Sequence, residues 1–411
     1  MVNGSRWKFA AFRLTWSEIN GALGDLGVLL PLTAALITVN GLSATSVFFG
    51  VGIAYIVTGL YYRLPLPVQP LKAVAAIAIA RGLGAGAVVA AGWWMGLLLL
   101  VLAFTDLHVY IGRLFTRPVI RGIQVGVGLL LVRSGLSLAS RPQITPGGPD
   151  VLLHVADCAV PVGWLLAAVV ALVLGWATWK RQRWPAAIFA ILLGLIAVAA
   201  SGSLGSLIGQ VRAGISIPKP MLPRWSDLGS SFTLLVLPQI PLTLGNAVFA
   251  TADTARQYFG DGAARVTPRN LLKSMGGFQL LAALIGGVPV CHGCGGLTAH
   301  YKLGARSGLA PFLLGSACLA LALFVDGNVL PLLSLIPYPV LGALLAFVGV
   351  QHGMLARDVR SWREWGIIVA VAAVGYATQN LALGFGLGIS LEQAGRGLAV
   401  LRRKQHLVSE R

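Results

Sequence analysis

The sequence has few charged residues, and acidic residues are the scarcest of them. Only 11% of the 411 residues are charged, and Asp and Glu together number 13 against 31 Lys and Arg. A soluble domain carries roughly a quarter charged residues. Hydrophobic residues make up 56% of the chain, and the mean hydropathy is +0.81. The composition therefore excludes a soluble globular protein and predicts an integral membrane protein.

Cysteine is scarce too, with four residues, and one of them, Cys318, lies within an apolar run. Four scattered thiols do not form a disulfide framework, and no metal site is predicted. The net charge of +18 does not indicate a nucleic-acid partner, because the cations occupy short intervals between apolar runs. A nucleic-acid site would gather them on one soluble face.

Apolar runs recur along the whole chain, and most have the roughly 20 residues that a helix needs to cross a bilayer. They fall at about 17–38, 43–61, 86–106, 119–138, 160–178, 184–200, 232–250, 271–287, 308–325, 329–349, 363–378 and 380–397. Two shorter helical stretches, about 71–80 and 294–303, are too short to span alone. The sequence predicts an all-α polytopic membrane protein with fourteen transmembrane elements, two of them short and broken.

The distribution of cations gives an orientation. With a cytoplasmic N-terminus and fourteen crossings, 24 of the 31 Lys and Arg fall on the cytoplasmic side, as the positive-inside rule requires. The exceptions are Lys72, Arg81, Arg133, Arg141, Arg212, Lys219 and Arg224. We therefore predict a multi-pass protein of a bacterial inner membrane with both termini in the cytoplasm.

A weak internal repeat divides the chain into two halves. Gly24-Asp25 is matched by Gly245-Asn246, and Pro67-Val68 by Pro289-Val290, each about 220 residues later. Seven elements per half require the second half to be inverted, a pattern typical of secondary transporters. We predict one transmembrane transport domain over 1–411, with repeats at 14–200 and 232–398, an extracytoplasmic linker at 201–231 and a short basic cytoplasmic tail at 399–411.

The repeat marks two segments, 65–72 and 289–296, that cannot form regular helix. Prolines remove amide donors from the first, and glycines allow close backbone approach in the second. Irregular backbone at membrane depth is tolerated where it lines a cavity or is buried in protein. Each segment precedes a short helix whose N-terminus suits an anion, so together they predict one anion-transport site. For the first segment alone, a proline kink in the headgroup layer is an equal alternative.

The second segment also contains a C-x-x-C motif formed by Cys291 and Cys294. In a thioredoxin-like context this motif would indicate redox chemistry. No strand–helix pattern of that kind surrounds it, so a transport role is favoured over redox or metal binding. Between the cysteines, His292 is a candidate proton relay or, when neutral, a partner of backbone carbonyls.

Polar residues inside the apolar runs are the other candidates, because a carboxylate at a helix centre costs about 2.5–3.5 kcal/mol. Asp25 and Asn246 lie deepest in their helices and are the better functional candidates. Glu18 and Asp253 lie near helix ends, where solvation or pairing with a nearby arginine is at least as good an explanation. Asn20 lies near Glu18 and Asp25, while Gln239, Asn246 and Asp253 share one helical face.

Four sequence blocks resemble the signatures of the molybdate transporter family, within the sulfate permease superfamily. They are 18–27, 67–72, 238–246 and 289–308, the last being highly specific. The resemblance implies a seven-plus-seven inverted repeat with a core domain that moves against a gate domain, without the superfamily's C-terminal regulatory domain. Cys291 and His292 match the family, whereas Cys294 replaces a small non-thiol residue.

The resemblance implies a secondary active transporter, not an enzyme, that imports a tetrahedral oxyanion by alternating access. Molybdate is the first candidate, and sulfate or tungstate is the alternative. The expected substrate-binding residues are Asn20, Gln69, Leu71, Lys72, Gln239, Asn246, Cys291, His292, Gly293, Cys294 and Gly295. Glu18, Asp25 and Asp253 are candidates for coupling or gating. No cofactor is expected, while coupling to protons or sodium and a homodimer are possible. Two alternative functions stay open: a membrane thiol–disulfide protein and an anion channel.

Overall fold

Helices make up almost all of the regular structure. The computed structural model describes residues 14–105, 107–112, 116–145, 148, 150–155, 158–179, 186–325 and 330–409. The helices are α1 Trp16–Leu23, α2 Leu26–Asn40, α3 Ala44–Tyr62, α4 Lys72–Arg81, α5 Ala85–Phe104, α6 Leu107–Gly112, α7 Arg117–Ala139, α8 Gly163–Trp179, α9 Ala186–Ala200, α10 Leu204–Gly209, α11 Trp225–Ser231, α12 Leu237–Leu242, α13 Thr251–Phe259, α14 Pro268–Leu284, α15 Cys294–Lys302, α16 Leu309–Phe324, α17 Leu330–Leu333, α18 Tyr338–Gly353, α19 Trp362–Thr378 and α20 Leu381–Ser409. Several cations assigned to the cytoplasmic side, among them Arg6, Lys8, Arg13, Lys180, Arg181 and Arg183, lie outside the described residues.

Six helical stretches in the described part of the chain are long and apolar enough to cross a membrane. They are Trp16–Asn40, Ala44–Tyr62, Ala85–Phe104, Arg117–Ala139, Trp225–Ala263 and Tyr338–Asp358. Helices also occupy the other predicted segments, and α4 and α15 are as short as expected. The prediction of a helical membrane protein is confirmed, while the count of fourteen crossings and the inverted repeat stay predictions.

Two predicted helices differ from their expected form at polar or proline-containing positions. The first is interrupted between α1 and α2, where the Gly24 N–H bonds to the Gly21 carbonyl at 3.1 Å. The eighth extends to Trp225–Ala263 and contains two π-helical segments, Phe232–Val236 and Thr243–Ala250. Because Pro238 and Pro241 lack N–H donors, regular i→i−4 bonding cannot continue through them.

Two short β-sheets add to the all-α prediction. β1 Gln69–Pro70 pairs antiparallel with β4 Val290–Cys291. β2 Leu152–Val155 and β3 Cys158–Pro161 form a hairpin in the connection between α7 and α8. The first sheet matters most here, because it joins the two broken segments.

Three pairs of helices are closely packed. α3 packs on α16, α5 on α14, and α7 on α18. Glycines lie at the closest approaches: a Cβ added at Gly59 would overlap the carbonyl oxygen of Gly308, and one at Gly135 would overlap that of Gly342. Small residues let membrane helices approach closely, and these glycines allow the close packing of the pairs.

Candidate functional site

The two broken segments lie directly against each other. Gln69 is opposite Cys291, and Pro70 is opposite Val290 in the β1–β4 pair. Beyond the pair, the N–H of Leu71 donates to the Pro289 carbonyl at 2.9 Å. Each segment therefore satisfies backbone groups that the other cannot pair within a helix. The structure brings together the two segments that the repeat marked, and the amide of Leu71 is used for this pairing.

A short helix starts from each segment, but the two N-termini differ. The side-chain oxygen of Gln239 accepts hydrogen bonds from the N–H groups of Ala73 at 2.9 Å and Val74 at 3.4 Å, so Gln239 caps α4. At α15 the N-cap residue is Gly293, which has no side chain to cap the first turn. Unpaired first-turn amides carry partial positive charge. The N-terminus of α15 is therefore the more available anion-binding end.

A cavity of about 360 Å³ lies beside these two N-termini. Its walls come from the α1–α2 junction, the two broken segments and, on the opposite side, α18. The lining residues are Gly24, Asp25, Gly27, Val28, Gln69, Lys72, Asn246, Cys294, Gly295, Gly296, Ala299, Phe347, Val348, Gln351, His352 and Leu355. Six of the predicted site residues thus share one cavity: Asp25, Gln69, Lys72, Asn246, Cys294 and Gly295.

Lys72 is the one Lys or Arg in this lining. Its side chain is 8% exposed, and it makes no hydrogen bond or ion pair with the described residues. A Cβ at Gly293 would lie 2.9 Å from the Lys72 ammonium nitrogen. The ammonium group therefore lies next to the N-cap of α15, and two sources of positive potential coincide.

Asp25 is the one Asp or Glu in this lining and is fully buried. Its carboxylate accepts hydrogen bonds from the Tyr55 hydroxyl and the Gln69 amide nitrogen. The Nε2 atom of His300 lies 3.7 Å from the same carboxylate, and His300 Nδ1 is 2.7 Å from the Gly21 carbonyl. Since a carbonyl only accepts, Nδ1 donates there and orients the ring towards Asp25. Tyr55 and Gln69, the two donors, stabilise the carboxylate beside the cavity.

Asn246 joins the wall through the second π-helical segment. Its side-chain oxygen accepts a hydrogen bond from the Cys294 thiol at 2.8 Å. A smaller adjoining cavity of about 10 Å³ is lined by Lys72, Gln124, Gln239, Leu242, Asn246, Cys291 and His352. Cys291 and Cys294 are both free thiols. Cys294 therefore lines the larger cavity, and Cys291 lines the smaller one.

Eight predicted residues are not among those lining the cavity: Leu71, Gln239, Cys291 and Gly293, whose positions are given above, and His292, Glu18, Asn20 and Asp253. His292 is fully buried, with Nδ1 2.8 Å from the Pro67 carbonyl and Nε2 3.0 Å from the Ser274 hydroxyl. Because both ring nitrogens have partners, His292 connects the two broken segments to α14. This matches the alternative role in which it bonds to a backbone carbonyl.

Glu18 and Asn20 lie on α1, and Asp253 lies on α13. Glu18 accepts a hydrogen bond from the Arg306 N–H at 2.9 Å, and Asn20 donates to the Leu303 carbonyl at 3.0 Å. Asp253 is exposed and accepts from the Gln257 amide at 2.7 Å. Glu18 and Asn20 therefore hold the segment after α15 against α1. Asp253 has the solvated position considered for it above.

Sequence reasoning missed Tyr55 and His300 around Asp25, and Phe347, Gln351 and His352 on α18. The polar pair Gln351-His352 follows directly after the predicted apolar run 329–349. This position at a helix end was the available signal. Nothing local marks Tyr55 or His300, because each is significant only through its spatial proximity to Asp25.

Comparison with known proteins identifies the family. The family model described as "Molybdate transporter of MFS superfamily" matches residues 17–131 and 231–351, which is more than half of the chain. The chain belongs to this molybdate transporter family. Both broken segments and most of the cavity lining lie within the matched residues. The family consists of transporters, so the prediction that the chain is not an enzyme is confirmed.

Plant members of the molybdate transporter family are similar over nearly the full length. Molybdate transporter 2 of Arabidopsis thaliana is 29% identical, over 91% of this chain and 86% of that protein. Molybdate transporter 1 of the same plant is 30% identical, over 92% of this chain and 87% of that protein. Among solved structures, the transmembrane domain of the cyanobacterial bicarbonate transporter BicA matches with a TM-score of 0.62. At 18% identity, covering 92% of this chain and 98% of that one, it shows a common fold.

Proposed function

We propose that this protein is a secondary transporter that imports a tetrahedral oxyanion, molybdate before sulfate or tungstate, through the 360 Å³ cavity. The observation that carries the proposal is the unpaired ammonium group of Lys72 beside the uncapped N-terminus of α15. A cation and a helix N-terminus together replace the hydration of an oxyanion. The named relatives are molybdate transporters, which supports molybdate as the first substrate.

The surrounding polar groups suit an anion with several oxygens. Asp25 would repel such an anion, but its carboxylate is held by Tyr55 and Gln69. Asn246 and the Cys294–Gly295 turn supply further polar contacts along the same wall. Lys72, Asn246 and the backbone amides of Cys294 and Gly295 would therefore contact the oxyanion, and Gln69 would position the Asp25 carboxylate away from it.

Transport would proceed by alternating access between a core and a gate. In this proposal α1–α5 and α11–α16 form the core, and α7–α9 and α18–α20 form the gate as the second half of each repeat. α18 lines the cavity opposite the broken segments, which supports a substrate held between the two units. The pairing of α3 with α16 and of α5 with α14 supports the seven-plus-seven inverted repeat, because the repeat would exchange one pair for the other.

Coupling to a proton or a sodium ion is part of the proposal, with Asp25 as the coupling residue. The carboxylate is buried and has His300 at 3.7 Å, so a change in its charge would be felt at Lys72 and at the substrate. We place the protein in a bacterial inner membrane with cytoplasmic termini, following the distribution of cations.

Uptake of labelled molybdate by cells that lack their own molybdate transporters tests the function. Lys72→Gln should abolish uptake at normal membrane expression, whereas Lys219→Gln, at an exposed lysine of the linker, should leave it unchanged. Competition with sulfate and tungstate then ranks the substrates. Absence of uptake by the well-expressed wild-type protein would refute the substrate assignment.

Two further measurements separate the alternatives. Replacing both Cys291 and Cys294 with Ala should leave most of the transport, whereas a thiol–disulfide protein would lose its activity completely. Molybdate on the opposite side of the membrane should stimulate flux, because a transporter exchanges substrate and a channel does not. A flux without this stimulation would favour the channel.

A further inference from the structure

A second cavity, of about 160 Å³, lies between α7 and the helices α2 and α4. It is lined by Val39, Ile79, Ala80, Arg133, Ser134, Ser137, Leu138 and Arg141. Arg133 and Arg141 are two of the seven cations that fall on the extracytoplasmic side in our orientation. The five lining residues from 133 to 141 lie outside the stretches that match the family model. Positive charges on the extracytoplasmic side run against the positive-inside distribution of the other cations, so a specific function could explain them.

Three polar residues of this cavity, Arg133, Ser134 and Ser137, lie on α7, with Arg133 and Ser137 four residues apart. Arg141 follows two residues after the end of the helix and lines the same cavity. Residues at this spacing are neighbours on a helix surface. Two guanidinium groups and two hydroxyls therefore converge on a single cavity, and no Asp or Glu is among its lining residues.

Neither arginine is neutralised by a carboxylate within the described ranges. Arg141 lies over the ring of Tyr338, at 4.4 Å from the ring centre. Arg133 lies 6.0 Å from the ring centre of Tyr376, and the Gln379 amide oxygen can accept from it at 3.0 Å. Aromatic rings and an amide hold the two side chains in place without cancelling their charges.

The hydroxyl of Ser134 gives a second and independent indication of a ligand. Ser134 is only 7% exposed, and its oxygen has no hydrogen-bond partner. Buried hydroxyls in proteins are normally paired. A ligand oxygen in the cavity would accept from this hydroxyl while its negative charge meets the two arginines.

Helix α4 lines both the first and the second cavity, and α7 lines the second cavity and the small adjoining one. α4 runs from Lys72 at the central site to Ile79 and Ala80 at the second cavity, about 10 Å away at 1.5 Å per residue. α7 runs from Gln124, beside the central site, to Arg133, about 14 Å away by the same measure. The second cavity and the small cavity beside Lys72 therefore both lie along the contact between α4 and α7.

We propose that this second cavity is an outer oxyanion site, which captures the substrate before it moves along α4 and α7 to Lys72. The inference rests on the proposed function, since it assigns the same tetrahedral oxyanion to both sites. The volume of the second cavity is consistent with this role. A water molecule occupies about 30 Å³ in the liquid, so 160 Å³ has room for one tetrahedral oxyanion and little water beside it. Capture by arginines that have no carboxylate partner in the described ranges would raise the local substrate concentration and the rate of association.

Binding of labelled molybdate to the purified full-length protein tests the outer site. We expect two bound anions in the wild type and one in the Arg133→Gln/Arg141→Gln variant. Lys219→Gln is the matched control, because it removes a cation from the same side of the protein outside both cavities, and it should retain two. One anion in both the wild type and the double variant would overturn the outer site while leaving the proposed function intact.

Uptake kinetics give a separate readout. The double variant should show a KM raised roughly tenfold with kcat nearly unchanged, because only capture is weakened. Ser134→Ala should raise KM in the same direction without altering charge, and it carries the test if the double variant does not fold. Unchanged KM in Ser134→Ala together with two bound anions in the double variant would also overturn the site. No molybdate binding or uptake by the wild type would instead count against the proposed function.

Discussion

At the scale of single residues, the site depends on the position of one ammonium group. Lys72 is held near the N-terminus of α15 because Gly293 leaves room for it. A neighbouring glycine, Gly295, lies on the same cavity but has no atom within 4 Å of the position of its missing Cβ. A methyl group added at Gly293 would therefore move Lys72, whereas one added at Gly295 would change only the flexibility of the turn.

Gly293→Ala should lower the affinity for molybdate by roughly tenfold or more, because the methyl group would displace the ammonium nitrogen that lies 2.9 Å away. The lysine tip is flexible, so the melting temperature should change little. Gly295→Ala is the control and should retain affinity. Binding measured by calorimetry, beside thermal unfolding, checks both; equal affinity in the two variants would mean that Lys72 does not bind the anion.

His292→Ala should destabilise the protein by about 1–3 kcal/mol, since the buried Pro67 carbonyl and Ser274 hydroxyl lose a partner. Thermal unfolding in detergent measures this loss. His292→Asn retains a donor and should recover part of it. An unchanged melting temperature with loss of pH-dependent transport would support the proton-relay hypothesis for His292 instead.

At the scale of secondary-structure elements, interruption of helices is what creates the site. The break between α1 and α2 releases Asp25 to bond with Tyr55 and Gln69, and the π-helical segment positions Asn246 against Cys294. These irregular elements are held by tightly packed regular ones. The pair α7–α18 is the clearest case, because glycines on both helices meet at two levels.

Gly135→Leu should lower stability by at least about 1–3 kcal/mol, because its Cβ would overlap the backbone oxygen of Gly342 and no rotamer change relieves that overlap. Gly366→Leu is the control, at an exposed position of α19 with no atom within 4 Å of the added Cβ. Thermal unfolding of the two variants should differ clearly. Equal melting temperatures would mean that α7 and α18 do not pack this closely.

At the scale of the whole molecule, the proposed function requires the linker and the segment after α18 to lie on opposite sides of the membrane. Arg212 and Arg357, both exposed, mark these two regions. Five of the predicted elements lie between them, and one of these is the short α15. The number of crossings therefore decides their relative placement.

Cysteines introduced as Arg212→Cys and Arg357→Cys, in a Cys158→Ser background, should react differently with a membrane-impermeant maleimide on intact cells. Residue 212 should be labelled from outside, and residue 357 only after the cells are opened. Labelling of both from the same side would show an even number of crossings and would remove α15 from the count. The parent Cys158→Ser protein, with its three remaining native cysteines, gives the background reactivity.

Most of the fold followed from the sequence because the bilayer imposes a simple rule on it. Each crossing helix must be apolar for roughly 20 residues, and α3, α5 and α16 lie within a few residues of their predicted runs. The π-helical turns and the early end of α1 were not predictable in this way. They depend on where prolines and polar groups find partners in other helices, which hydropathy does not encode.

The candidate site was predictable in part for the same reason. Proline and glycine mark the broken segments wherever they lie, and Asp25, Lys72 and Asn246 stand out as polar groups in apolar surroundings. The sequence could not show that Gln239 and His292 have roles different from those of Asp25, Lys72 and Asn246. Gln239 caps α4, and His292 bonds to Pro67 across 225 residues of chain.

The sequence by itself determined the membrane class, the positions of the helices, the two broken segments and the family resemblance. Only the tertiary structure decided which polar groups face the cavity and which face each other. The physical reason is that a buried polar side chain needs a hydrogen-bond partner. The residue type shows this need, but only the fold determines which group is the partner. Lys72 has no partner among the described residues, and this distinguishes it as the candidate ligand of the substrate.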